Sequence, residues 1–237
     1  MVKIKEEDEK HEPKKIINEI DFVFLGMAII QLGVGLSLVT NIGSDSFTVF
    51  TQGISILLKI TPGIANMCIL FVLTIIILLI NRKKINIGTF ICLIGVGPVI
   101  DLSISIFSKF NIQDYNMLIK ALIIVLVNFI IAVGFSILSA TDLGVAPNDI
   151  VPFIIQDKTK FQYRWIRMSL DAIYLIVGYL LGGKVWLGTI ISMLTVGPFI
   201  QLCLPYGKTF VGSLLGNKND IVNNDIINNE NIEEVEI

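Results

Sequence analysis

One histidine and three cysteines are all this 237-residue chain offers as soft metal ligands. His11 lies in a charged N-terminal run. Cys68, Cys92 and Cys203 each sit inside apolar stretches, with no CxxC spacing. That argues against a Cys/His metal centre or a thiol redox motif and leaves the cysteines as small apolar packers within helices. Charge is also scarce, at 16% Asp, Glu, Lys and Arg, against about 25% in an ordinary soluble domain. No HExxH, GxSxG or Walker motif occurs, and no paired carboxylates share one helix face. The chain is therefore read as no enzyme, with no catalytic residue, no metal and no cofactor. A cleaved leader is not expected either. The first 20 residues mix Glu and Lys, and no small-x-small site follows.

What is abundant is hydrocarbon. Hydrophobic residues make up 54% of the chain, and its mean hydropathy is +0.78. The net charge of −2 conceals a partition. Residues 1–21 hold five Lys and seven Asp/Glu, and residues 208–237 hold two Lys and six Asp/Glu. Removing those from the totals leaves 11 Lys/Arg against 7 Asp/Glu in residues 22–207. A sparsely charged body with two acidic tails fits a bilayer as partner, and gives no support for nucleic acid.

A helix needs about 20 mainly apolar residues to cross a hydrocarbon core about 30 Å thick. Six runs qualify: Phe22–Thr40, Gly63–Ile80, Ile85–Phe107, Met117–Ala140, Trp165–Gly182 and Val185–Leu204. Phe47–Ile60 and Pro147–Gln156 are shorter or broken by polar residues, and read as half-helices or re-entrant segments. Six crossings from a cytoplasmic N-terminus place 11 Lys/Arg inside and 4 outside, as positive-inside bias requires. Eight crossings give the same count, so segment length alone favours six. Both arrangements leave the N- and C-termini of a multi-pass membrane protein in the cytoplasm.

The body also repeats itself. A shift of 100 residues superposes Gly88-Thr89 on Gly188-Thr189 and Val96-Gly97-Pro98 on Val196-Gly197-Pro198. Upstream, Val34-Gly35 matches Val133-Gly134 and Gly43 matches Gly144. The expected fold is all-α: two inverted repeats, each of three spans plus one short half-helix. Its parts are a charged cytoplasmic tail (1–21), repeat one (22–110), repeat two (111–207) and a disordered acidic tail (208–237). Three spans per copy is an odd number, so the second copy enters from the opposite side. Inverted pairs with broken helices in matching positions are a common transporter architecture, with the substrate site where the broken helices meet.

Candidate ligand-binding residues follow from that pattern. Gly43 and Asp45 in the first turn match Gly144, Pro147, Asn148 and Asp149 in the second. Glycine permits the tight turn, proline suits a helix start, and Asp or Asn can cap amides or hold a ligand there. Asp101 is an ionisable residue in an apolar helix, with Gln201 as its uncharged counterpart; such residues are functional candidates by default. Gln52, in the first short segment, is a weaker candidate, as are Gln31, Asn66 and Asn128. Arg167 and Asp171 are four residues apart on one helix face and read as a structural ion pair at the cytoplasmic interface.

At these motifs the chain resembles the bacterial YczE/YyaS/YitT family of membrane proteins. Gly43-Ser44-Asp45-Ser46-Phe47-Thr48 fits the family's Gly-x-Ser-Pro-Trp-Asp-like turn, with Ser46, Phe47 and Thr48 in place of Pro, Trp and Asp. Gly88-Thr89 and Val96-Gly97-Pro98-Val99-Ile100-Asp101 match its later elements, and Gly144, Pro147, Asp149, Gly188-Thr189 and Val196-Gly197 echo them. The resemblance covers about residues 20–207. It implies an integral protein of the cytoplasmic membrane with a transport-related function, and supplies no substrate. The leading expectation is a transporter or permease for an unknown small solute, sited at the repeat interface. The alternatives are a substrate-binding membrane component of a multi-subunit transporter and a non-transport assembly or regulatory factor. A homo-oligomer and an energy-coupling subunit are the protein partners left open.

Overall fold

A computed structural model describes residues 13–82, 85–141, 143–159, 161 and 163–215. Among them all regular structure is helical. Eight helices follow in order: α1 (Pro13–Thr40), α2 (Ser46–Leu58), α3 (Pro62–Ile80), α4 (Ile87–Phe107), α5 (Met117–Ser139), α6 (Pro147–Thr159), α7 (Tyr163–Leu180) and α8 (Leu187–Leu215). Two 3₁₀ turns, Ser108–Phe110 and Ile112–Asp114, link α4 to α5.

Every expected apolar run is helical. Five helical stretches are long and apolar enough to cross a membrane: Glu19–Thr40, Pro62–Ile80, Ile87–Phe110, Met117–Ser139 and Leu187–Leu214. The remaining run, Trp165–Gly182, became α7, whose first half carries Arg164, Arg167 and Asp171 and is less apolar for that reason. The two short segments are α2 and α6, each of 13 residues, which reach about 20 Å and fall short of a hydrocarbon core of about 30 Å.

The helix starts obey local chemistry. Thr61 caps α3 by accepting from the Ile64 amide at 3.2 Å, with Pro62 at the first helical position. Asn116 caps α5 by accepting from the Leu118 amide at 3.3 Å. Two ends differ from expectation. Helix α1 begins at Pro13, ahead of Phe22, and α8 continues to Leu215, beyond residue 208 where the disordered tail was expected to begin. The extension has a packing cause: Val211 is buried, and Phe210 meets Phe22 edge-to-face with ring centroids 6.3 Å apart. Residues 1–12 and 216–237, the remainder of both expected tails, lie outside the described residues.

Small residues set the packing. Gly26 of α1 faces Gly134 and Leu138 of α5, while Gly33 faces Ile131 and Val127, so the two helices run antiparallel. A Cβ at Gly26 would come within 2.9 Å of the Gly134 carbonyl oxygen, and one at Gly134 equally close to that of Gly26. Only paired glycines let the backbones approach so far. Helix α4 runs parallel to α1, with Gly95 against Met27 and the Ser103 hydroxyl donating to the Leu32 carbonyl at 2.9 Å. Helix α8 lies against α5, where the Asn128 amide donates to Ser192 and Thr195 at 3.2 and 2.8 Å. Helices α2 and α6 cross over: α2 packs on α7, and α6 packs on α3 as well as α7. The outer faces are apolar, with Phe71, Leu79, Ile94, Leu122 and Leu194 exposed. Such a surface suits lipid and would not suit water.

Candidate functional site

The turns before α2 and α6 are built by the same device. After α1 the chain reverses through Gly43, whose φ of +96° only glycine adopts without strain. A Cβ there would also meet the Thr189 side chain and come within 2.9 Å of the Trp186 amide nitrogen. After α5, Gly144 reverses the chain with a φ of +92°. Each turn docks on the Gly-Thr pair opening a distant helix. The Gly188 amide donates to the Ile42 carbonyl at 2.8 Å, and the Gly88 amide donates to the Leu143 carbonyl at 2.9 Å.

These docked turns hold the starts of α2 and α6 inside the protein. Asp45 caps α2 by accepting from the Thr48 amide at 3.1 Å and also accepts from the Ser44 hydroxyl at 3.2 Å. Ser44 in turn pairs with Ser37 of α1 at 2.7 Å. Pro147 opens α6 and is buried, as the missing proline N–H allows at a helix start. Asn148 donates to Asp149 at 3.2 Å.

Helix α7 supplies the centre. The Arg167 guanidinium reaches Asp149 of α6 through Nη1 at 3.2 Å and Asp171 of its own helix through Nε at 3.4 Å. The carboxylates of Asp45, Asp149 and Asp171 lie close enough to act on one another electrostatically. Two acids therefore share one guanidinium, with Asp45 within electrostatic reach of both. Tyr174, one turn beyond Asp171, packs between Phe47 and Phe50 of α2, with centroid distances of 5.4 Å to each. The α2 start and the α6 start are thus both held against the same face of α7.

Of the residues expected to form a site, Gly43, Asp45, Gly144, Pro147, Asn148 and Asp149 belong to these two turns and the helix starts they hold. Asp101 sits elsewhere. It accepts from the Thr61 hydroxyl at 2.6 Å and from the Gly63 amide at 2.9 Å, at the start of α3. Gln201 is exposed on α8. Gln52 accepts from the Lys184 amide at 2.7 Å, beside a cleft of about 460 Å³ near the C-terminal end of α1. The Arg167–Asp171 pair follows from its i, i+4 spacing, whereas Asp149 as the second partner and Tyr174 against α2 are brought in only by the fold. The available signal was a full pair of charges inside an apolar run. Among the described residues no three His, Cys, Asp or Glu gather as metal ligands.

Residues 17–205 match the model of a family of unknown function, DUF6198. An uncharacterized protein of Haemophilus influenzae is 25% identical over 188 residues, covering 78% of this chain and 83% of the relative. The uncharacterized membrane protein YczE of Bacillus subtilis is 23% identical, covering 78% and 84%. The uncharacterized protein YyaS of the same organism is 26% identical, covering 76% and 90%. These are relatives from the group that the turn motifs resemble. No solved structure matches the chain.

Proposed function

The chain belongs to the DUF6198 family, and from that premise we propose that it is a non-enzymatic transporter or permease for a small solute. The observation that carries this reading is the meeting of two short-helix starts on one face of α7, with Asp149 of α6 on Arg167 and Phe47 of α2 on Tyr174. Broken helices whose N-termini converge among buried charges are the usual makings of a transporter site.

An inverted pair of repeats accounts for the arrangement. The two docking bonds, Gly88 to Leu143 and Gly188 to Ile42, have donors 100 residues apart and acceptors 101 apart. The antiparallel course of α1 and α5 is what inversion requires of the first helix in each copy. In this reading α7 is the sixth span. Its Arg167 and Asp171 face α6 and one another, while Ile173, Ile176, Tyr179 and Leu180 are exposed. Intramembrane charges that face a bundle interior, behind an apolar outer surface, suit that assignment. Positive-inside bias then puts both termini in the cytoplasm.

The test is flux. Purified protein in proteoliposomes is offered radiolabelled amino acids, short-chain carboxylates and polyols. Wild-type protein should carry at least one class, and Asp149→Asn or Arg167→Gln should abolish that flux per folded molecule. Normal flux in both variants would remove the site. No flux of any class, together with co-purification of an ATPase, would favour the binding-component reading instead.

A further inference from the structure

The cleft of about 460 Å³ lies between the C-terminal end of α1, helix α2 and the 3₁₀ turns after α4. That volume is in the range of small-molecule pockets. Its polar lining is Asn41, Gln52, Ser108, Asn111, Gln113 and Lys184. Lys184 is the sole ionisable side chain lining it, and no carboxylate does.

The donors in this lining are unspent. Gln52 uses its Oε1 to hold the Lys184 amide at 2.7 Å, which leaves its Nε2 without a partner among the described residues. The side chains of Asn41, Asn111 and Gln113 and the Lys184 ammonium likewise have no hydrogen-bond partner or ion pair among the described residues. Lys184 has its side chain exposed at the mouth of the cleft, on a backbone that is held in place. Its amide is fixed by Gln52, and the preceding Gly183 amide donates to the Gly178 carbonyl at 2.8 Å. Asn41 and Asn111 stand in left-handed backbone conformations, φ 58° and 48°, which asparagine tolerates better than most residues.

The apolar part of the lining is Leu38, Val39, Ile104 and Ile112, with Pro62. A separate small cavity of about 10 Å³ shares Leu38, Asn41, Gln52 and Lys184 with the cleft and is lined also by Ser37, Gly43 and Ser44.

We propose that this cleft binds a small organic monocarboxylate, with Lys184 and the Gln52 amide holding the carboxylate and the α1–α4 aliphatic wall holding its hydrocarbon body. One ammonium and several neutral amide donors match a single negative charge. A phosphate carries between about one and two negative charges at neutral pH, which one ammonium balances less well. A cationic ligand would find an unpaired ammonium and no carboxylate. The proposal concerns binding and not flux, so it stands or falls separately from the transport reading.

The test uses full-length protein in lipid nanodiscs, with calorimetric titration of butyrate and benzoate against butylamine, benzylamine and benzamide. The carboxylates should bind, weakening as salt rises, and the amines and amide should not. Lys184→Gln should weaken benzoate binding at least ten-fold, Lys184→Arg should stay within a few-fold of wild type, and Gln52→Glu should weaken it as well. The proposal is overturned if no carboxylate binds wild-type protein up to tens of millimolar. Equal binding of amines or benzamide overturns it too, as does undiminished benzoate binding by well-folded Lys184→Gln.

Discussion

Arg167 Nη1 lies 3.2 Å from Asp149 Oδ1 and so ties the second turn of one helix, α7, to the first turn of another, α6. The same guanidinium holds Asp171 at 3.4 Å. Asp45, the cap of the other short helix, lies within electrostatic reach of both acids.

The first prediction concerns that pair. Arg167→Met should lower the melting temperature in detergent, because it leaves carboxylates without their counter-ion. Adding Asp149→Leu should recover part of the loss. Directly contacting residues typically couple by about 0.5–3 kcal/mol, so strictly additive losses in the double-mutant cycle would mean that the ion pair does not hold α6 to α7.

The docked Gly-Thr pairs are not equal. The Thr89 hydroxyl donates to the Val145 carbonyl at 3.2 Å, whereas the buried Thr189 hydroxyl has no partner. Thr89→Val should therefore cost about 0.5–1.5 kcal/mol, while Thr189→Val should be neutral or stabilise by up to about 1 kcal/mol. Chemical denaturation or thermal melts of the two variants read the contrast directly, and equal losses would contradict it.

Gly97 and Gly197 are matched in sequence but not in surroundings. A Cβ at Gly97 would strike the Met67 side chain and come within 2.9 Å of the Gly63 carbonyl oxygen; one at Gly197 meets nothing within 4 Å. Gly97→Ala should destabilise by about 1–3 kcal/mol through overpacking. Gly197→Ala should instead gain up to about 1 kcal/mol from helix propensity. A loss at Gly197 as large as at Gly97 would show that this face of α8 is covered.

Asp101 gives the fourth test. Its carboxylate holds the Thr61 hydroxyl and the Gly63 amide at the start of α3. Asp101→Asn should cost about 1 kcal/mol of stability, as loss of a cap does. Flux per folded molecule should be unchanged. Unaltered stability with lost flux would return Asp101 to the functional site.

The sequence was most readable where one local property decides structure. Each apolar run became a helix because length and hydropathy suffice, and the Gly43 and Gly144 turns were visible because a positive φ demands glycine. What stayed hidden depends on distant partners. Nothing near Asp101 announces that Thr61, 40 residues earlier, would claim its carboxylate. The Arg167–Asp171 spacing was read correctly as a pair, but Asp149, 18 residues back, is brought in only by the packing of α6 on α7. The cleft was illegible because Gln52 and Lys184, 132 residues apart, meet only when α2 crosses onto the other half of the chain. The helical extension to Leu215 was missed because Val211 and Phe210 gain their value from α1.

If α2 and α6 re-enter the membrane from opposite faces, single cysteines at Asn41, Lys59, Ala140 and Thr159, with Cys68, Cys92 and Cys203 replaced by alanine, will show it. Membrane-impermeant thiol reagents are applied to intact cells and to inverted vesicles. The first two positions, flanking α2, should react only from outside the cell. The last two, flanking α6, should react only from the cytoplasm. Asn41 and Lys59 reacting from opposite faces, or Ala140 and Thr159 doing so, would make the short helices full crossings and contradict re-entry.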